Sequence, residues 1–197
     1  MDKLGSMVLI FGNPAWVGFL AFCIACIVSG LFFAGKDAQP QPAVNMTIAS
    51  IQKWTGVVDL IAGFLSIVGH PDGKVIGSWF GTLVAYFGFT WILLSDMTAK
   101  GGDTKPMSTF IFFTAGVCAL YSFIIAASPM WPFTGMLRDV FILLAVATIA
   151  CIIAGFALRG IGGATTTKLA GYGFILAGLI GCYIIAVYVS SMMGIGI

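Results

Sequence analysis

Charged residues are scarce in this chain of 197 residues, at 8% of the total, whereas a soluble domain carries about 25%. Hydrophobic residues make up 60%, and the mean hydropathy is +1.08. A water-soluble protein of this size could not bury so much apolar surface, because burial is limited by the ratio of surface to volume. The composition therefore predicts an integral membrane protein, with the lipid bilayer as its solvent.

Residues that carry catalysis are also scarce. The chain has one histidine, His70, and it contains no Walker sequence, nucleophile elbow or HExxH motif. A single histidine without a carboxylate cluster is a weak basis for a metal site. The five cysteines all fall in apolar stretches, where we interpret them as small apolar side chains. We therefore expect no enzyme activity, no metal and no cofactor.

Six apolar stretches are long enough to cross a bilayer, which takes roughly 20 helical residues. Loops rich in proline and glycine separate them, and none is long enough to hold a soluble domain. The stretches lack the alternation of barrel strands. We predict an all-α polytopic membrane protein, with one domain over residues 1–197 that forms a bundle of six transmembrane helices. The predicted spans are 14–34, 48–68, 75–94, 107–127, 134–158 and 168–192.

The basic residues predict the orientation. Six helices place both termini on one side, and the first, third and fifth loops hold more Lys and Arg than the other segments outside the spans. The positive-inside rule then puts these loops in the cytoplasm and both termini outside. The basic residues are scattered and the net charge is only +2, so we expect no nucleic-acid partner.

Small residues recur at four-residue spacing in several spans. In lipid, such stripes let helix backbones approach closely. We interpret them as packing surfaces within the chain rather than as subunit interfaces. The residues predicted to pack in this way include Gly77, Gly81, Gly173, Ala177 and Gly181.

Asp59 lies near the middle of the second span. An acidic side chain at that depth costs roughly 2.5–3.5 kcal/mol on insertion scales, so it should face the bundle or water, or be protonated. It could line a solute path, or it could form a structural hydrogen bond to a threonine of a neighbouring helix. Thr90, Thr114 and Thr148 are the candidates for such a bond.

Several motifs resemble the small six-helix urea/amide channel family (AmiS/UreI type). They are Val17-Gly18, Ser29-Gly30-Leu31, Asp59-Leu60-Ile61-Ala62-Gly63, Phe87-Gly88-Phe89-Thr90-Trp91 and Gly101-Gly102-Asp103. In that family's patterns, asparagine stands where this chain has Ser29 and Asp59. The resemblance implies a channel for urea or a short-chain amide.

Other motifs are similar to the acetate/succinate uptake family (YaaH/SatP type). Asn13-Pro14-Ala15-Trp16-Val17-Gly18 resembles its NPAPLG signature, and Ala170-Gly171-Tyr172 resembles its AGW. Both families form hexameric rings with one pore in each protomer, which implies a homohexamer here. The second resemblance also implies a narrow gate, which residue matching places at Phe22, Phe87 and Leu144.

We therefore expect a channel or facilitator for a small polar solute, in a prokaryotic inner membrane. Polar contacts near the gate are predicted at Asp59, Thr90 and Tyr86. Urea or a short amide is the first choice of solute, and acetate or a related monocarboxylate is the alternative. A third interpretation is a membrane subunit of a larger complex that transports nothing itself.

Overall fold

The computed structural model describes residues 14–35, 42–69, 75–101, 104–127 and 136–192. Within these ranges the chain is helical apart from short turns, and no strand occurs. The prediction of an all-α bundle of six helices is confirmed. In chain order the helices are α1 (Pro14–Ala34), α2 (Pro42–Gly69), α3 (Val75–Lys100), α4 (Thr104–Ala126), α5 (Met136–Leu158) and α6 (Gly163–Met192).

Each of the six helices is long and apolar enough to cross a membrane. Four of them extend beyond the apolar stretches that predicted them, because backbone hydrogen bonding continues into polar sequence; α4, for example, begins at Thr104. Helix α2 begins at Pro42, α3 runs on to Lys100, and α6 begins at Gly163. The last turn of α3 is stabilised by an ion pair of 2.9 Å between Lys100 Nζ and Asp96 Oδ2. Pairs spaced by four residues on a helix have this effect.

Two glycines end helices by adopting a left-handed backbone. Gly101 follows α3 with a φ of 62°, and its N–H donates to the carbonyl of Met97 at 2.9 Å. Gly160 follows α5 with a φ of 74°, and its N–H donates to the carbonyl of Ala157 at 2.9 Å. Glycine adopts this conformation without the steric cost that a Cβ atom brings.

Five helices surround a central axis, and α2 lies outside them. Around the axis the order is α1, α3, α4, α5 and α6, with only light packing between α3 and α4. Among the described residues, α2 packs only on α1 and α3. This arrangement decides which side chains can reach a path through the bundle, because no residue of α2 lies on the central axis.

Backbones approach closely where glycine removes the side chain. A Cβ atom added at Gly63 of α2 would lie 2.5 Å from both the amide nitrogen of Ala85 and the carbonyl oxygen of Gly81 on α3. A Cβ atom at Gly30 of α1 would lie 2.6 Å from the carbonyl oxygen of Gly171 on α6. Packing of this kind holds helices together in lipid, where hydrophobicity alone gives little drive for association.

The glycines and alanine predicted to pack occupy three different interfaces. Gly81 faces α2, Gly173 faces α5, and Gly181 faces α1. Ala177 is buried in the centre of the bundle, at 1% exposure. Gly77 belongs to α3, but its packing lies outside what the structure describes.

The surface of the bundle is apolar, while many fully buried side chains are polar. This distribution is the reverse of that in soluble proteins, and it is the one that lipid requires. The exposed apolar side chains include Trp54, Phe64, Phe113, Phe123 and Leu179. The buried polar side chains include Ser29, Gln52, Asp59, Ser66, Ser95, Ser108 and Thr114.

Candidate functional site

A vestibule opens at the end of the bundle where α1, α3 and α5 finish and where α4 and α6 begin. This is the end of the first, third and fifth loops, and we call it the odd-loop end. The vestibule is a cavity of about 230 Å³. Its walls come from five helices and include Phe33, Leu94, Thr104, Ile111, Ala154, Ala157, Leu158, Ala170 and Phe174.

Two small voids continue the vestibule along the axis. The middle void shares Leu94, Ile111 and Phe174 with the vestibule, and the far void shares Phe22 and Phe87 with the middle void. Each void has a volume of about 20 Å³. The three cavities therefore form one line through the bundle, interrupted by side chains.

The three predicted gate residues come together in this line. Phe22 of α1, Phe87 of α3 and Leu144 of α5 all border the far void. The rings of Phe22 and Phe87 are in contact, with their centroids 4.5 Å apart. Leu144 is 2% exposed, so the contact between the rings is enclosed by apolar side chains. We call these three residues the gate, whose role in permeation stays a prediction.

Further aromatic rings lie beyond the gate, toward the opposite end of the bundle. Phe19 stacks on Phe22 with centroids 6.1 Å apart, and its ring meets Phe80 edge-on at 5.5 Å. Trp16 lies 6.3 Å from Phe80. Among the residues that the structure describes, the wide cavity thus opens at the odd-loop end, while aromatic side chains occupy the axis toward the other end.

The hydroxyl groups beside the voids already have partners. Thr90 borders the middle void, but its hydroxyl donates to the carbonyl of Tyr86 at 3.0 Å. Thr114 also borders it, and its hydroxyl bonds the carbonyl of Phe110 and the hydroxyl of Tyr86. A void of this volume has room for about one water, which needs polar partners that are free. The far void, whose lining is wholly apolar, should therefore be dry, as in hydrophobic gates that close by dewetting.

Two of the predicted polar contacts lie away from the cavities. Tyr86 points toward α4, where its hydroxyl lies 3.0 Å from Thr114 Oγ1. Asp59 lies on α2, outside the ring of five helices, and its side chain is 0% exposed. It bonds none of the candidate threonines, and neither carboxyl oxygen has a hydrogen-bond partner among the described residues. Of the three predicted polar contacts, Thr90 is the one that borders one of these cavities, the middle void.

Sequence reasoning missed several residues that border the middle void. Cys26 and Trp91 are each one helical turn from a predicted gate residue, so four-residue spacing could have revealed them. Cys151 and Phe174 also border it, but no sequence signal marks them. The indole Nε1 of Trp91 is buried and has no hydrogen-bond partner within the described parts of the chain.

The mouth of the vestibule has a basic surround. Arg159 follows α5 there, and its Nε donates to Ser108 Oγ at 3.0 Å. In the sequence, the first, third and fifth loops and the helix ends beside them contain six basic residues, Lys36, Lys53, Lys100, Lys105, Arg159 and Lys168, and three acidic residues, Asp37, Asp96 and Asp103. An excess of one sign around a cleft raises the local concentration of counter-ions.

The described residues contain no group of three or more His, Cys, Asp or Glu side chains that could hold a metal ion. The resemblance to the two transport families rests on short motifs spread over the helices. No family model and no curated protein matches this chain.

Proposed function

We propose that this chain is a membrane channel or facilitator for a small polar solute, with the path inside each protomer. The observation that carries the proposal is the line of three cavities, which leads from an open vestibule to the contact between Phe22 and Phe87. As the resemblances imply, the protomers would assemble as a homohexamer in a prokaryotic inner membrane, with both termini outside.

The conformation described here is closed. Each void has room for about one water, whereas urea and acetate each have four heavy atoms. Passage therefore requires the rings of Phe22 and Phe87 to separate. Because both rings belong to tightly packed helices, their separation needs new side-chain rotamers or a small shift of α1 against α3.

An uncharged solute is the first candidate. No charged side chain borders either void among the residues that the structure describes. A charged solute would lose its hydration there without compensation, which is costly. Urea and short amides avoid this cost, and their planar shape suits a slot between aromatic rings.

A monocarboxylate such as acetate is the second candidate, and the basic surround of the vestibule favours it. In the sequence, the loops at this end and the helix ends beside them contain six basic and three acidic residues. Because Asp59 is off the path, it would not repel an anion directly. An acetate ion could enter the vestibule and cross the apolar gate as the neutral acid.

Uptake of radiolabelled urea and acetate into proteoliposomes tests the proposal. Phe87→Ala is the test variant, and Phe89→Ala is its matched control, because Phe89 lies on the same helix but is 48% exposed on the outer surface. We expect the wild type to admit one solute faster than empty liposomes do. The Phe87 variant should change that rate, whereas the Phe89 variant should not.

The outcomes separate the three interpretations. Urea entry would support the amide channel, and selective acetate entry would support the carboxylate carrier. If neither solute enters and the purified protein is not a hexamer, the pore is excluded and a non-transporting subunit of a larger complex remains.

A further inference from the structure

Asp59 is buried where three helices meet. It belongs to the inner face of α2, and its side chain is 0% exposed. A Cβ atom added at Gly88 of α3 would lie 2.8 Å from the Cβ of Asp59, so the two backbones nearly touch there. Gly18 of α1 is also adjacent, because its added Cβ atom would lie 3.5 Å from the Asp59 Cα.

The surroundings of the carboxyl group offer a negative charge little stabilisation, because the one group that favours the charge is the backbone amide of Phe22 on α1. Both oxygens are buried and lack a hydrogen-bond partner among the described residues. The titratable side chains of α1 that interact electrostatically with it are the thiols of Cys23 and Cys26, and the Cys23 thiol lies against Gly181 of α6. From α3 it meets Gly88, and no described charged or titratable side chain faces it from that helix. An ionised carboxylate at this place would be an uncompensated charge in the membrane interior.

The helices that enclose Asp59 are the ones that carry the aromatic gate. Phe22 belongs to α1, and its backbone amide faces the Asp59 carboxyl group. Phe87 precedes Gly88, the residue of α3 that abuts Asp59. A movement of α1 or α3 that separates the two rings would therefore also change the enclosure of Asp59.

We propose that Asp59 binds a proton when the gate is closed and releases it when the gate opens. This inference rests on the proposed transport function. In the closed conformation the carboxyl group is the neutral acid. When the gate opens, water reaches it. The O–H bond then breaks, the proton passes to water as hydronium, and the carboxylate remains on Asp59.

The direction of the pH effect follows from proton linkage. The closed conformation binds one proton more than the open one, so acidification favours closure and lowers the solute flux. For a single proton the ratio of closed to open protein changes at most about tenfold per pH unit. Below the range in which Asp59 titrates, the flux is lowest. Above that range, the flux divided by the concentration of the uncharged solute is independent of pH.

Asp59→Asn is the test variant, because asparagine has the shape of the neutral acid but cannot lose a proton. Its uptake, after subtraction of the uptake by empty liposomes and division by the concentration of the uncharged solute, should be lower than that of the wild type and should no longer change with pH. Ser66→Ala is the matched control. Ser66 is buried on the same face of α2, at 1% exposure, and cannot titrate in this range, so the control should keep the wild-type pH dependence.

Infrared spectroscopy of the protein in liposomes supplies a measurement that needs no flux. At neutral pH the wild type should show the C=O band of a protonated, buried carboxyl group, and this band should be absent from Asp59→Asn.

The failures are distinguishable. Solute flux in the wild type without a pH dependence, an unchanged pH dependence in Asp59→Asn, or the absence of the infrared band would each overturn the role of Asp59. The absence of wild-type flux at every pH would overturn the proposed function instead.

Discussion

Removing one ring from the pair of Phe22 and Phe87 should make the gate easier to open. The centroids of the two rings are 4.5 Å apart, and aromatic pairs in such contact contribute about 0.5–1.5 kcal/mol beyond their buried area. If opening separates the rings, the loss of this contact lowers the free energy of opening by that amount. The solute flux should then rise roughly two- to tenfold.

A double-mutant cycle in proteoliposomes is the assay for this reasoning. Phe22→Leu and Phe87→Leu keep an apolar side chain in place, whereas Phe→Ala in a packed core costs about 3–5 kcal/mol of stability. Since each change removes the same contact, the double variant should gain less than the product of the two single increases. Phe89→Leu on the outer surface should leave the flux unchanged. If the two increases in flux multiply in the double variant, or if Phe89→Leu raises the flux equally, the contact between Phe22 and Phe87 is not the gate.

Three further predictions concern the path and the packing around it. Silver ion should block solute flux through a variant that keeps Cys26 as its only cysteine, because this thiol borders the middle void. A cysteine-free variant should be unaffected. Gly63→Ala should lower the melting temperature in detergent, because the added Cβ atom would lie 2.5 Å from backbone atoms of α3. The control is Gly116→Ala, whose added Cβ atom has no atom within 4 Å, so this change should be neutral or should stabilise the fold by up to about 1 kcal/mol. Gln52 Nε2 donates to Ser29 Oγ at 2.9 Å between two buried side chains, so a double-mutant cycle with alanine should give a coupling of about 0.6 kcal/mol in unfolding experiments.

The sequence predicts the helices well because lipid leaves the backbone few alternatives. Every N–H and C=O group in the hydrocarbon region must be paired, so a long apolar stretch forms a helix. Helix α1 has the bounds that the apolar stretch predicted, Pro14–Ala34. Helices α2 and α3 extend several residues beyond the predicted spans, since hydropathy marks the membrane and not the last hydrogen bond of a helix.

The candidate site is only partly predictable from sequence. Phe87 and Phe89 are the same residue type two positions apart, yet one borders the voids and the other is exposed. The family resemblance identified Phe87 as a gate residue, whereas composition alone could not distinguish it from Phe89. Asp59 stood out because acids are rare in lipid. No sequence pattern indicates that α2 lies outside the ring, so the separation of Asp59 from the cavities could be seen only in the three-dimensional arrangement.

Blocking the vestibule tests the central claim most directly, namely that solute crosses through the axis of a single protomer. Ala157 borders the vestibule, whose volume of about 230 Å³ has room for an indole ring, so Ala157→Trp should fold and assemble normally. The control is Ala119→Trp on the exposed surface of α4. The account predicts that proteoliposomes with Ala157→Trp lose uptake of the transported solute while those with Ala119→Trp retain it. Undiminished uptake by correctly assembled Ala157→Trp would contradict an axial path.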